Sequence, residues 1–245
     1  MIKEICAKKA VTRTKIPVAR YTVNPYIGCT FGCRYCFARF IGAFKYTSGT
    51  WGKDILVRKN IPELLRKEIN KLSPGKFFLS TSCDPYQHIE KKYEITRTVI
   101  RILLSHWMPI FIMTKSSLIR RDIDLLMLEV DLEVNITITT DREDVRKLLE
   151  PGAPSIQERL ETIKFLKEKG IKVGAFVGPV LPMNPEKLAL KLSRLIERVH
   201  LDPLNYPGQV KNIYIKNGWN KWLHKDSFYE VREVFEKIFG SENVG

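Results

Sequence analysis

Leu132–Thr140 reads LEVNITITT. The run is short, alternating and rich in β-branched residues, which predicts a strand. Asn135, Thr137 and Thr139 share one face of it, and Ile136 and Ile138 share the other. Strands of a parallel sheet are normally apolar on both faces, because both are buried. A polar face therefore implies a strand that looks into a cavity. This favours a curved barrel with a lined interior over an open doubly wound sheet.

Five further strands follow from the same signals on either side: Arg20–Asn24, Lys76–Asp84, Pro109–Lys115, Lys172–Val180 and Lys211–Lys216. Helical patterns separate or follow them at Ile61–Leu72, Glu94–Trp107, Ser117–Leu128, Ser155–Lys169, Pro185–Val199 and Asp226–Phe239. Pro62 suits a first helical turn, Ser155 with Glu158 forms a capping box, and Gly170 sits at a helix stop. Strands alternating with helices specify a parallel sheet. The expected fold is an α/β partial (β/α)6 TIM-type barrel over residues 20–216, with a cysteine loop after the first strand. Residues 1–19 read as an N-terminal extension, and residues 217–245 as a connection and helix packed on the barrel. Gly174 and Gly178, on one face of their strand, leave room for a ligand. The site is expected at the C-terminal ends of the strands.

The chain of 245 residues is 44% hydrophobic, enough for one large core. No apolar run is long enough to span a membrane, and MIKEICAKKA lacks the apolar segment of a secretory signal. Five cysteines, an odd number with three clustered, argue against a disulfide framework and for a reducing, cytoplasmic setting. Net charge is +14, from 41 Lys and Arg against 27 Asp and Glu. Such a surplus suits a nucleic-acid partner. It is also what a Lys-rich soluble surface of a thermophilic protein shows.

The clustered cysteines are Cys29, Cys33 and Cys36, spaced C-x3-C-x2-C in YIGCTFGCRYC. Three thiolates on one loop can hold three irons of a [4Fe–4S] cluster and leave the fourth iron open to a small molecule. Structural zinc instead takes four protein ligands. Cys6, His88, His106, His200 or His224 would have to supply the fourth, and none stands at ligand-like spacing. A third reading leaves the three thiols unliganded.

C-x3-C-x2-C with the aromatic Tyr35 before the last cysteine resembles the signature of the radical S-adenosylmethionine (SAM) superfamily. NPYIGCTFGCRYCFAR, CDPYQHIEKKYEITR and LEPGAPSIQERLETIKFLKEKGIKVGAFVGPVLP together resemble its spore photoproduct lyase-related branch, also described as DNA repair photolyase-like. The resemblance runs in order from about Tyr21 to Pro182. It implies an enzyme whose [4Fe–4S] cluster, on Cys29, Cys33 and Cys36, binds SAM and cleaves it reductively to methionine and a 5′-deoxyadenosyl radical. That radical takes hydrogen from substrate. It further implies an electron donor such as a ferredoxin or flavodoxin. Lys115, ending the third strand, would pair with the methionyl carboxylate of SAM. Tyr35 would pack near its adenine, and Thr137 and Thr139 would hydrogen-bond its ribose or amine. As bare residues these read equally as a loop aromatic, a strand-end lysine and satisfied core hydroxyls.

In spore photoproduct lyase a second-strand cysteine returns hydrogen to the product radical, three residues before an aspartate resembling Asp84. Here that position is Thr81, and the cysteine is Cys83. Strand alternation puts Thr81 and Cys83 on one face, so Cys83 is the catalytic candidate, with a small buried hydrophobe as its other reading. The lyase's tyrosine after the third cysteine is Phe37 here, which has no O–H to relay hydrogen. Both departures weigh against repair of thymine dimers. Asp84, Tyr86 and Gln87 are candidates for the substrate entrance. Trp219 and Trp222, among Lys216, Lys221, His224 and Lys225, either stack bases or close the edge of the barrel. The expected function is radical SAM chemistry on a nucleic-acid or nucleotide substrate by a monomer. The alternatives are the same chemistry on a peptide or small molecule, and a non-enzymatic zinc-loop nucleic-acid-binding protein.

Overall fold

A computed structural model describes residues 1–128 and 131–245. Its strands are β1 (Ile2–Ile5), β2 (Val11–Arg13), β3 (Tyr21–Val23), β4 (Tyr26–Ile27), β5 (Ile55–Arg58), β6 (Phe77–Leu79), β7 (Ile110–Thr114), β8 (Leu132–Thr137), β9 (Val173–Val177) and β10 (Val199–Leu201). Its helices are α1 (Ile61–Glu68), α2 (Glu90–Tyr93), α3 (Ile95–Ser105), α4 (Ile123–Leu126), α5 (Glu143–Leu149), α6 (Ile156–Glu168), α7 (Pro185–Ser193), α8 (Lys211–Lys216) and α9 (Lys225–Phe239). The main sheet has the order β10-β9-β8-β7-β6-β3-β2. Six of these strands run parallel, and β2 adds antiparallel to β3. This is the expected partial barrel, with helices covering its outside.

Its outer layer is built as the periodicity predicted. Val99, Ile100, Leu103, Ile163 and Leu166 are fully buried on the inner faces of α3 and α6, against Ile112, Val134 and Ile136 on the outward faces of the strands. Ser155 caps α6 by accepting from the Glu158 N–H at 3.2 Å.

The sixth strand is a correction. Lys211–Lys216 (KNIYIK) folds as α8, and the sixth parallel strand is β10. A six-residue apolar alternation is too short to separate strand from helix. Here Tyr214 turns inward and packs edge-on against Trp219, with ring centroids 5.8 Å apart. The helix expected to run to Val199 ends at Ser193 instead, which frees Val199–Leu201 to pair with β9. The N-terminal segment is also more than an extension. β2 extends the main sheet, while β1 and β4 flank β5 in a second small sheet.

The room expected at Gly174 is filled by Asn135, whereas Gly178 lines an open cavity beside the Phe176 ring. A Cβ at Gly174 would lie 2.4 Å from Asn135 Oδ1, and one at Gly178 would lie 2.3 Å from the Phe176 ring. Gly152 is tighter against backbone: its Cβ would meet Thr30 O at 2.4 Å and Phe31 Cα at 3.0 Å. By contrast, Gly170 has nothing within 4 Å of a Cβ, and its φ of +76° is its sole constraint. Gly152→Ala should therefore cost about 1–3 kcal/mol through forced backbone movement, and Gly170→Ala only about 1 kcal/mol. Urea unfolding of both variants checks this; equal midpoints would remove Gly152 as a packing constraint.

Candidate active site

The cysteine loop follows β4 and is held from three sides. Gln87 braces it from below, with Oε1 accepting from Thr30 N at 2.9 Å and Nε2 donating to Gly28 O at 3.1 Å. Behind it, Arg34 N donates to Leu149 O at 2.8 Å and Gly152 N to Phe31 O at 3.0 Å. At its side the Trp51 indole N–H donates to Cys33 O at 3.1 Å. Gly28 and Gly32 take positive φ in this loop, and a Cβ at Gly28 would lie 2.5 Å from Asp54 O.

Cys29 and Cys33 are buried and Cys36 is half-buried, all with free thiols. Burial pushes the Cys33 thiol up to about 12, against the pull of Lys115. Burial also raises Cys29 and Cys36. Thiols in such a setting ionise when a metal takes them as ligands. Among the described residues, no three His, Cys, Asp or Glu side chains converge as ligands of one ion. A [4Fe–4S] cluster gives each thiolate its own iron, so its ligands stand further apart than those sharing an ion. Three free cysteines on one braced loop fit that group.

Beneath the loop lies a carboxylate that the sequence reading passed over. Glu150 is fully buried. It accepts from the Tyr35 hydroxyl, from Thr139 Oγ1 at 3.0 Å and from Arg159 Nη2 at 2.6 Å, and Lys115 Nζ stands 3.8 Å away. Burial alone would raise its pKa, but Arg159 and Lys115 outweigh burial and bring it down to about 2. Arg159 is buried with it and spends its other donors on Thr137 O and Pro154 O, both at 3.1 Å. Burial works against the charge on Lys115 as well, yet Glu150 holds its pKa above the ordinary value.

A cavity of about 810 Å³ opens below the loop inside the barrel. Tyr35, Cys36 and Lys115 line one end, at the C-terminal ends of the strands. Phe78, Phe111, Met113 and Phe176 form much of its wall, and Phe78 meets Phe111 edge-on at 4.9 Å. Asn135 joins them from β8; it is 1% exposed, and its amide nitrogen has no hydrogen-bond partner among the described residues.

Tyr35, Lys115 and the loop cysteines are therefore brought together. Thr139 reaches Glu150 rather than the cavity lining, and Thr137 is buried outside that lining. The cavity-facing members of LEVNITITT are Glu133 and Asn135.

The second-strand candidates fall elsewhere. β6 ends at Leu79 and Ser80 takes a φ of +62°, so alternation does not carry through to Cys83. Thr81 lines the cavity, whereas the Cys83 thiol turns to Tyr26 O at 3.6 Å, away from the lining. Asp84 accepts from Thr114 Oγ1 at 2.6 Å, Lys115 N at 2.8 Å and Tyr86 N at 2.9 Å, which ties the ends of β6 and β7 together. Tyr86 and Gln87 are fully buried and form no entrance, and Gln87 supports the loop. Trp219 is buried against Tyr214, under the Arg142 guanidinium, so it closes the structure and does not stack bases.

Glu150→Gln removes the charge that neutralises buried Arg159. It should destabilise the protein by about 3–5 kcal/mol. Because the carboxyl is depressed in the folded state, its contribution is present above pH ~4.5 and is lost as pH falls towards 2. Denaturant midpoints of wild type and variant should therefore converge on acidification; a constant gap would remove Glu150 from this role.

Residues 23–192 match the profile of the Radical SAM superfamily. An uncharacterised protein of Methanocaldococcus jannaschii is 39% identical over 240 residues, covering 91% of this chain and 90% of its own. The radical SAM Nα-GlyT isomerase of Pseudomonas phage M6 is 29% identical over 161 residues, covering 65% of this chain and 33% of its own. In fold, the chain resembles spore photoproduct lyase solved with bound AdoMet and dinucleoside spore photoproduct. The TM-score is 0.69 at 16% identity, over 98% of this chain and 80% of that one. With the cysteine loop, the partial barrel and the profile match in agreement, this chain belongs to the radical SAM superfamily, whose enzymes work with a [4Fe–4S] cluster and S-adenosylmethionine.

Proposed function

We propose that Cys29, Cys33 and Cys36 hold the cluster and that the barrel cavity takes SAM and a nucleobase-bearing substrate. The observation that carries this is the continuity of one cavity from Cys36, Tyr35 and Lys115 to a wall of Phe78, Phe111 and Phe176. When bound there, the cluster would supply the one electron for reductive cleavage of SAM. Lys115 is the cation that meets the methionyl carboxylate. Glu150 holds that ammonium charged and in place until then. Tyr35, fixed through its hydroxyl to Glu150, presents its ring at the cavity end, where it would pack against the adenine.

The substrate class follows from the wall. Three aromatic rings present faces and edges suited to a flat ring. The Asn135 amide can pair with the hydrogen-bonding edge of a base, as carboxamides do. A buried amide without a partner is costly in the free protein and is relieved by such a ligand. The lyase structure that the fold resembles holds a dinucleoside spore photoproduct, a ligand of this class. The surplus of 41 Lys and Arg over 27 Asp and Glu suits a phosphate-bearing substrate. Cys83, turned away from the cavity, has no part in this mechanism.

Prepared without oxygen, the protein should carry about four irons, and Cys29→Ala, Cys33→Ala or Cys36→Ala should lose them. With dithionite and SAM it should release 5′-deoxyadenosine, and thymidine-containing oligonucleotides should accelerate that release where peptides do not. Stoichiometric zinc without iron, or acceleration by peptides alone, would overturn the reading. Lys115→Ala should weaken SAM binding by roughly 1.5–3 kcal/mol, the worth of a charge-assisted contact. Equilibrium dialysis with labelled SAM measures it, and unchanged affinity would exclude Lys115 from the carboxylate.

A further inference from the structure

The cysteine loop has two faces. One belongs to the cavity, through Tyr35, Cys36 and Phe37. The other is the floor of a separate concave patch of about 660 Å³, which shares no lining residue with the cavity. With SAM and substrate in the cavity, as proposed above, that face would be covered, and an electron for a cluster on this loop would enter from the other side. That side carries the features such an entry needs.

Its floor is thin. Gly32, Gly52 and Gly152 all line the patch. A Cβ at Gly52 would lie 3.0 Å from Gly32 Cα, and one at Gly152 would lie 2.4 Å from Thr30 O. Backbone thus packs directly on the backbone of the cysteine loop, with no side-chain layer between these segments. Beside the glycines stands Trp51, hydrogen-bonded to the carbonyl of Cys33. The charged residues lining the patch are Arg34, Arg39 and Lys53, with no acid among them. The Arg34 and Lys53 side chains are exposed and make no ion pair or hydrogen bond among the described residues. Free cations around a recess attract and orient an acidic surface.

We infer that this patch is the docking surface for an acidic one-electron donor protein, with Arg34 and Lys53 steering it and the glycine floor giving its cofactor close approach to the cluster. The step moves one electron from the donor's reduced cofactor to the cluster. The donor is oxidised by that electron, no bond forms or breaks, and no proton has to cross. The phosphates of a nucleic acid would also be drawn to these cations, but a strand seated here lies behind the loop and cannot present a base to the cavity. The inference rests on the radical SAM reading above.

The test uses the reconstituted full chain, a flavodoxin and a ferredoxin as acidic donors, and the variant Lys53→Glu, which lies outside the cysteine loop. At low salt, titration calorimetry should show one of the donors binding the wild type. The variant should lose about tenfold or more in that affinity, and salt should weaken the wild type in the same way. Release of 5′-deoxyadenosine driven by the reduced donor should fall with the affinity, while release driven by dithionite stays within about twofold of wild type. The inference is overturned if neither donor binds, if the variant binds as well as wild type, or if both reductants lose activity together. It is equally overturned if the variant loses affinity for duplex DNA while keeping that for the donor. Absence of dithionite-driven release in the wild type would count against the functional reading instead, and the calorimetry would still decide the docking surface.

Discussion

One buried carboxylate organises the chemistry end of this molecule. Glu150 lies at the C-terminal end of α5, and four other segments meet there. Tyr35 comes to it from the cysteine loop, Thr139 from beyond β8 and Arg159 from α6, while Lys115 approaches from the end of β7. A charge this deep is tolerated only when its lone pairs and its countercharge are supplied together. Meeting that condition fixes where the loop sits over the barrel, because Tyr35 lies between Cys33 and Cys36. The geometry of the cysteines therefore depends on a residue more than a hundred positions away in the chain.

The same segment also secures the loop through its backbone. Leu149 and Gly152 exchange main-chain hydrogen bonds with Arg34 and Phe31, and Gly152 has no space for a Cβ. With Gln87 beneath and Trp51 alongside, the loop is braced independently of any group it binds. Such a loop presents its thiols at set positions, so less ordering is required when a cluster is assembled.

The cavity's loop end carries Lys115 with Glu150 behind it, and Phe78, Phe111 and Phe176 form an aromatic part of the wall, beside Lys76, Glu133, His200 and Asp202. Asn135 interrupts the apolar wall with an unpaired amide, and the proposed recognition of a base edge rests on it. Gly174 is what allows it to lie there, since any side chain at that position would strike the Asn135 oxygen.

Local pattern determined much of this protein. C-x3-C-x2-C marked a loop that lies within the superfamily match, and the alternation of short apolar runs with amphipathic helices specifies a parallel barrel. LEVNITITT announced a lined interior through its polar face. Short apolar runs were less legible: KNIYIK became a helix and Val199–Leu201 a strand, because six residues or fewer obey whichever neighbours they pack against. For Arg159 there was a signal. It stands with Ile156, Leu160 and Ile163 on the buried stripe of α6, and a cation there calls for a buried anion. Which anion, and that it would also hold Tyr35 and Lys115, no periodicity could state. Tertiary structure likewise turned Cys83 from the cavity, since the break at Ser80 ends the strand and cancels the alternation that had placed it inside. Sequence spacing settles what lies within one turn or one strand; pairings between distant segments are settled by which buried charges and hydrogen bonds can be satisfied together.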